Sequence, residues 1–272
     1  MNYLKLLLIL LCFTTFSCKT DTKKQSTDTA ETTETNLVAE NSSEMSNTEK
    51  GDMLDINPIS HATMVLTLGN DDIYVDPTGG TEAFSEFTSP EIVLLTDIHG
   101  DHYDIETLKG LDLSNATVIA PKAVVDMFPK DLKTKTIITL NNGETYDTTQ
   151  GFSVEALPMY NLREEALKFH PKGRGNGYVL TINDERIYIS GDTEDIPEMR
   201  NLKNIDKAFI CMNLPYTMTV EKAVEAVLEF KPKTVYPYHY RGQDGMSDTE
   251  KFKTMVNLGD GSIKVVQLNW YN

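Results

Sequence analysis

The stretch Ile92-Val93-Leu94-Leu95-Thr96-Asp97-Ile98-His99-Gly100-Asp101-His102 carries an apolar strand straight into a cluster of ionisable side chains. Four groups able to ligate a metal, Asp97, His99, Asp101 and His102, fall within six residues. Functional loops of α/β proteins gather at the C-terminal ends of such strands. A loop here can turn Asp97 and His99 to one side and Asp101 and His102 to the other. Two adjacent cations, each needing several N and O donors, suit that arrangement. A merely structural Asp/His cluster at a buried strand end would carry an uncompensated desolvation cost.

Working outward, short β-branched or apolar runs bounded by turn residues predict strands at His61–Leu68, Asp71–Asp76, Glu91–Thr96, Thr117–Ala120, Thr136–Leu140 and Phe152–Met159. Further strands are expected at Tyr178–Ile182, Arg186–Ser190, Ala208–Met212, Thr234–Pro237 and Ile263–Leu268. Helices are expected at Tyr103–Lys109, Lys122–Phe128, Ile196–Leu202, Val220–Phe230 and Asp248–Leu258. In Val220–Phe230 the apolar residues Val220, Ala223, Val224, Val227 and Leu228 fall at helical spacing, Thr219 offers an N-cap and Pro232 follows the end. Thr67–Asp76 and Thr181–Ser190 both read as strand, polar turn, strand. This faint repeat suggests two sheets packed face to face with helices outside.

The other histidines and one aspartate sit in similar contexts. His170 opens the glycine-rich run His170-Pro171-Lys172-Gly173-Arg174-Gly175-Asn176-Gly177. Asp192 lies in Ser190-Gly191-Asp192-Thr193, after a strand, and His239 lies in Tyr236-Pro237-Tyr238-His239-Tyr240, at the end of another. Asp97–His102 resembles the metallo-β-lactamase superfamily motif His-x-His-x-Asp-His, with Asp97 where the first His is usual. The later His, Asp and His follow in the family's order, and Ser60-His61-Ala62 and Val75-Asp76-Pro77 also match. The pattern is most similar to the branch containing ascorbate-6-phosphate lactonase and related metal-dependent hydrolases.

The resemblance implies an α/β fold, a four-layer αβ/βα sandwich with the site at one edge between the sheets. It implies two divalent metal ions. Asp97, His99 and His170 would hold the first, Asp101, His102 and His239 the second, and Asp192 would bridge them. A metal-bound water or hydroxide would be the nucleophile, with Asp192 and Asp101 as catalytic carboxylates and Asp101 orienting the nucleophile or shuttling its proton. Asp97 adds charge and hardens the first site, favouring Mn²⁺ or Fe²⁺ relative to an all-imidazole set, although Zn²⁺ also accepts Asp.

Four residues are candidates for substrate contact: His61, Lys172, Arg174 and Tyr238. Lys172 and Arg174 are either a clamp for an anionic group or solvated charges on a loop. Asp76 reads as structural support of the site, or as a plain turn residue before Pro77. Asp192 has the alternative of a helix N-cap. Cys211, inside an apolar strand, reads as a buried thiol. The Gly173-x-Gly175-x-Gly177 run leads into a strand, so it is no nucleotide signature.

The N-terminus reads separately. Residues 1–17 carry Lys5 and the apolar run Leu6–Phe13, a secretory pattern too short to span a bilayer. Thr15-Phe16-Ser17-Cys18 resembles the lipobox of bacterial lipoproteins, with Thr15 in place of the usual Leu; a plain secretory signal is the alternative. Residues 18–52 are polar and acidic and form an expected tether, disordered because it has too little apolar surface to offset its ordering entropy. Residues 53–272 form the expected hydrolase domain.

Of the 272 residues, 41 are acidic and 25 basic, giving a net charge of −16. That disfavours nucleic acid as a partner, and disfavours a membrane except through a lipid on Cys18. Three cysteines are too few for a disulfide framework. The expectation is an exported, lipid-anchored, metal-dependent hydrolase at a periplasmic or cell-surface face. Its substrate would be a small lactone, ester, amide or phosphoester, with penicillin-type lactams least favoured. Two alternatives are an iron-dependent oxidoreductase on the same fold and a non-catalytic metal- or ligand-binding lipoprotein.

Overall fold

The structure, a computed structural model, describes residues 54–271. The expected signal segment 1–17 and tether 18–52, with Cys18, lie outside the described residues. Among the described residues no helix is long and apolar enough to cross a membrane.

Six strands form the first sheet in chain order: β1 (Leu54–Ser60), β2 (Thr63–Leu68), β3 (Asp71–Val75), β4 (Ile92–Leu94), β5 (Thr117–Ala120) and β6 (Thr136–Thr139). The second half supplies β7 (Thr145–Asp147), β8 (Ser153–Met159), β9 (Gly175–Ile182), β10 (Glu185–Ile189), β11 (Lys207–Cys211), β12 (Thr234–Tyr238), a small hairpin of β13 (Arg241–Gly242) and β14 (Gly245–Met246), and β15 (Lys264–Val265). The second sheet has the order β15-β12-β11-β10-β9-β8-β7. In each sheet an antiparallel hairpin feeds a parallel run: β2–β3 leads to β4, β5 and β6, and β9–β10 leads to β11, β12 and β15. Both hairpins close through two residues. Gly69 turns the first with φ 63°, and Asn183 and Asp184 turn the second with φ 49° and 65°. Left-handed residues in such turns match the twist of the flanking strands. The repeat in the sequence is thus a structural repeat.

Side-chain alternation on the strands sorts the layers. Ile92 and Leu94 of β4, Met64 and Leu66 of β2, and Ile73 and Val75 of β3 enter the core between the sheets, with Val154, Ala156 and Leu180 of the other sheet. Their neighbours Val93, Val65 and Tyr74 join a separate cluster with Leu108 of α1 (Ile105–Gly110) and Val124 of α2 (Lys122–Val125). The outer face of the second sheet is covered by α3 (Pro197–Arg200), α4 (Val220–Phe230) and α5 (Thr249–Gly259), with Phe230 edge-on to Tyr188 of β10. This is the four-layer αβ/βα sandwich. Thr219 caps α4 by accepting from Lys222 N, and Lys231 ends it in a left-handed conformation before Pro232.

The differences from expectation have local causes. β1 contains Pro58 within a polar-interrupted run. It survives as an edge strand whose register shifts between Pro58 and Ser60. His61 does not begin a strand; it sits in the β1–β2 turn with φ 50°. The expected helix Ile196–Leu202 shrinks to α3, with Ile196 as its N-cap residue and Pro197 at its first position. Asp192 is therefore not a helix cap.

The two sheets are tied together at the edge where the strand ends converge. Asn176 N donates to Thr96 O at 2.9 Å, and Tyr178 Oη donates to Leu95 O at 2.7 Å. Gly175 permits this approach, because a Cβ there would lie 2.9 Å from Thr96 O.

Candidate metal centre

Five strand ends build the site. After β3, Asp76 adopts φ 44°, which turns its carboxylate across the end of β4. Thr96 N and Thr96 Oγ1 donate to it at 2.7 and 2.6 Å. His102 Nδ1 donates to Asp76 Oδ2 at 2.8 Å and lies 2.9 Å from Thr96 Oγ1. A carboxylate behind an imidazole fixes its tautomer and ring orientation, leaving Nε2 free to ligate. Asp76 is thus a support of the site and not a ligand.

Asp192 follows β10 through Gly191, whose φ is 59° and whose hypothetical Cβ would lie 2.6 Å from Met159 Sδ. The Asp192 carboxylate faces three imidazoles. Oδ2 is 3.5 Å from His102 Nε2 and 3.2 Å from His170 Nε2, and Oδ1 is 3.2 Å from His239 Nε2. His239 ends β12 with φ 44°, and His170 Nδ1 donates to Tyr216 O at 3.2 Å. A non-glycine residue in the left-handed region costs about 1–3 kcal/mol and persists where the surroundings impose it. His61, Asp76 and His239 are three such residues gathered at one site.

His102 Nε2, His170 Nε2 and Asp192 Oδ1 are buried without an aligned hydrogen-bond partner. Buried polar atoms of native proteins are almost always satisfied. Donor atoms that converge at these distances without bonding one another fit a shared cation. Burial works against charge at Asp192, but His239 and His102 hold its carboxyl well below the usual range. Burial also works against charge at His239. Asp192 and Asp101 outweigh it and push the imidazole up to about 9.

The candidate ligand atoms fall into three groups, each within 4.8 Å: Asp97 with His99 and His170; His102 with Asp192 and His239; and His61 with Asp101 and His239, the last two sharing His239. In the first, Asp97 Oδ2 lies 2.7 Å from His99 Nδ1 and 3.9 Å from His170 Nε2. Asp97 is also gripped by Arg174, whose NH2 group lies 3.4 Å from His99 Nε2 as well. Arg174 Nε is 3.1 Å from Oδ1 and its NH2 group 2.9 Å from Oδ2, and the same NH2 group donates to Phe169 O. Burial opposes the Asp97 charge, yet His99, His102 and Arg174 together lower its pKa. The additional negative charge at the unusual position is matched by one additional cation.

A cavity of about 440 Å³ opens over these groups, lined by His61, His99, Asp101, His170 and Asp192 together with Phe169, Asn213, Tyr216, Arg241 and Gly242. His61 thus stands on the cavity wall, edge-on to His239 at 5.5 Å. The other three expected substrate contacts are corrected. Lys172 turns away to Glu198 Oε1 at 2.9 Å and Tyr160 Oη at 3.2 Å. Arg174 spends its guanidinium on Asp97. Tyr238 points into the core, where its ring packs on Trp270 and Phe209. Cys211 is a buried free thiol whose pKa burial pushes up to about 12.

Sequence reasoning missed Asn213, Tyr216 and Arg241. Each follows β11 or β12 closely, so the rule that located the ligands could have located them. Asn213 Nδ2 lies 3.3 Å from His239 Nε2.

Comparison with known proteins agrees with this geometry. Residues 55–239 match the β-lactamase superfamily domain. A UPF0173 metal-dependent hydrolase of Oenococcus oeni is 30% identical over 212 residues, 73% of this chain and 91% of that protein. One of Pyrococcus abyssi is 27% identical over 224 residues, 79% of this chain and 96% of its own. The crystal structure of a candidate metal-dependent hydrolase from Parabacteroides distasonis superposes with a TM-score of 0.69 at 39% identity, covering 79% of this chain and 92% of that one. With these His/Asp groups able to hold a metal, the chain belongs to the β-lactamase superfamily, among the UPF0173 metal-dependent hydrolases.

Proposed function

We propose that the domain holds two divalent cations and hydrolyses a small molecule with metal-activated water. Asp97, His99 and His170 would hold one cation, Asp101, His102 and His239 the other, with Asp192 between them. The carrying observation is Asp192, whose carboxylate faces imidazoles of both groups while its buried Oδ1 lacks an aligned partner. Bound there, the cations would lower the pKa of a water and polarise a substrate carbonyl or phosphoryl oxygen. The chain's own residues supply the orientation. Asp101, with a side chain 44% exposed, reaches the cavity while its Oδ2 lies 3.3 Å from His239 Nε2. Burial opposes its charge, but His239 and His102 keep it well below the usual carboxylate range, so it would be an ionised acceptor able to orient a metal-bound water. The cavity volume suits a small substrate. Zn²⁺ and Mn²⁺ both fit the mixed Asp/His donors.

From the sequence motifs alone we also propose kinship with the ascorbate-6-phosphate lactonase branch, which makes phosphorylated lactones worth testing as substrates. Export and a lipid on Cys18 are proposed from the sequence around that residue. Elemental analysis paired with lactone, ester, amide and phosphodiester substrates tests the reading. We expect close to two metals per chain and hydrolysis of at least one class. Asp192→Ala should lower kcat/KM by more than about 10³-fold, since metal-based charge stabilisation is worth several kcal/mol. Turnover that survives in strictly metal-free protein contradicts the proposal.

A further inference from the structure

We propose that Arg241 is the residue that recognises substrate, and that the substrate carries a carboxylate or phosphate group. The inference rests on the hydrolase reading above and names the substrate class. Arg163, Arg174, Arg186 and Arg200 all pair with carboxylates, and Lys172 does likewise. Arg241 lines the cavity and enters no ion pair with a carboxylate among the described residues. In a chain of net charge −16, an unpaired cation beside the ligand groups is a selective feature.

Its position is built. The Arg241 guanidinium lies over the Tyr271 ring at 4.3 Å, and Arg241 N–H donates to Tyr271 Oη at 3.2 Å. Tyr271 packs edge-on against His61 at 5.1 Å, and His61 against His239 at 5.5 Å. A single row of rings therefore links the cation to the metal ligands. The hairpin that carries Arg241 is clamped to the segment after β11. Gln243 N donates to Leu214 O at 3.0 Å, Ser247 Oγ donates to Met212 O, and a Cβ on Gly242 would overlap Leu214 O at 1.9 Å. A guanidinium stacked on an aromatic face keeps its planar edge free for a bidentate oxyanion. In the lining of the same cavity, Phe169 and Tyr216 meet edge-on at 5.2 Å and offer an apolar surface. A substrate with an anionic end at Arg241, its scissile bond at the ligand groups and an apolar body between fits this layout.

The test compares 4-nitrophenyl acetate with mono-4-nitrophenyl succinate on the metal-loaded protein, in wild type, Arg241→Gln and Arg241→Lys. Arg241→Gln should raise KM for the succinate ester about tenfold or more with kcat little changed, and change the acetate ester far less. Arg241→Lys should recover part of the loss. Calorimetric titration with succinate and with glycerol 3-phosphate separates the two anion classes and needs no turnover. Binding of either that weakens in Arg241→Gln supports the assignment. Equal behaviour of wild type and Arg241→Gln toward both esters and both anions overturns it. Failure of the hydrolase reading would show separately, as a metal-loaded wild type that cleaves neither ester while the anion titrations still report on Arg241.

Discussion

The two ligand groups on either side of Asp192 are held in different ways. His102, Asp192 and His239 are all buried, whereas Asp97, His99 and His170 open to the cavity through His99, whose side chain is 38% exposed. Behind His102 stands an acceptor, the Asp76 carboxylate, itself fixed by two bonds from Thr96. Against Asp97 stands a cation, Arg174, which also approaches His99 Nε2. A carboxylate behind an imidazole strengthens it as a ligand. A guanidinium on a carboxylate competes for the charge that a metal would use. One group is thus prepared for a cation and the other is held in check, so the buried group should fill first and the Asp97 group at higher metal concentration.

Breaking the support of the buried group should have the largest effect on this contrast. Asp76→Asn keeps the shape but removes the charge behind His102. It is expected to weaken the tighter metal about 10–100-fold, the usual cost of losing such a partner, as read by competition with a chelator. Arg174→Met should act in the opposite direction on the other group. Releasing Asp97 is expected to tighten the weaker metal about tenfold, equivalent to about 1.4 kcal/mol. A weaker second metal in that variant would mean that Arg174 serves to position Asp97 as a ligand.

The smallest expected effect concerns pH. In metal-free protein, His239 has its pKa raised from 6.5 to about 9 and His102 is raised as well. A raised folded-state pKa adds stability below the unfolded value and loses it as pH climbs through the folded one. The metal-free protein should therefore lose about 5–10 °C in Tm between pH 6.5 and 9.5. Asp192 and Asp101 are shifted down, so their contribution is present above pH 3.8 and disappears below it. Metal-loaded protein should lack the alkaline loss, because its histidines bind as neutral imidazoles and metal uptake releases their protons. Melting curves with and without chelator measure both.

The fold was legible where the pattern was local. Short β-branched or apolar runs between turn residues located β2, β3, β5 and β8, and the 3.6-residue spacing with Thr219 before it located α4 to the residue. Most ligand candidates were legible because they sit at strand ends; His170, in the loop between β8 and β9, was legible only through the order of the motif. Partner choice across the chain was not legible. Lys172 and Arg174 are two residues apart on one loop, yet one meets Glu198 and the other meets Asp97, 77 positions away. Tyr238 and His239 are adjacent, but strand alternation sends Tyr238 into the core while a left-handed turn at His239 brings the imidazole to the site. Pairings of that kind depend on how the sheets meet, which no short window of sequence contains. The same holds for Arg241, whose lack of a carboxylate partner among the described residues appears only in three dimensions.

The most direct measurement of the unequal centre is a stepwise titration of metal-free wild-type protein with Zn²⁺ and with Mn²⁺ against a competing chelator, with bound metal counted by elemental analysis. Two separated steps totalling two metals per chain are expected, the tighter sensitive to Asp76→Asn and the weaker to Arg174→Met. A single step that fills both positions together, or one that ends at one metal per chain, would contradict it.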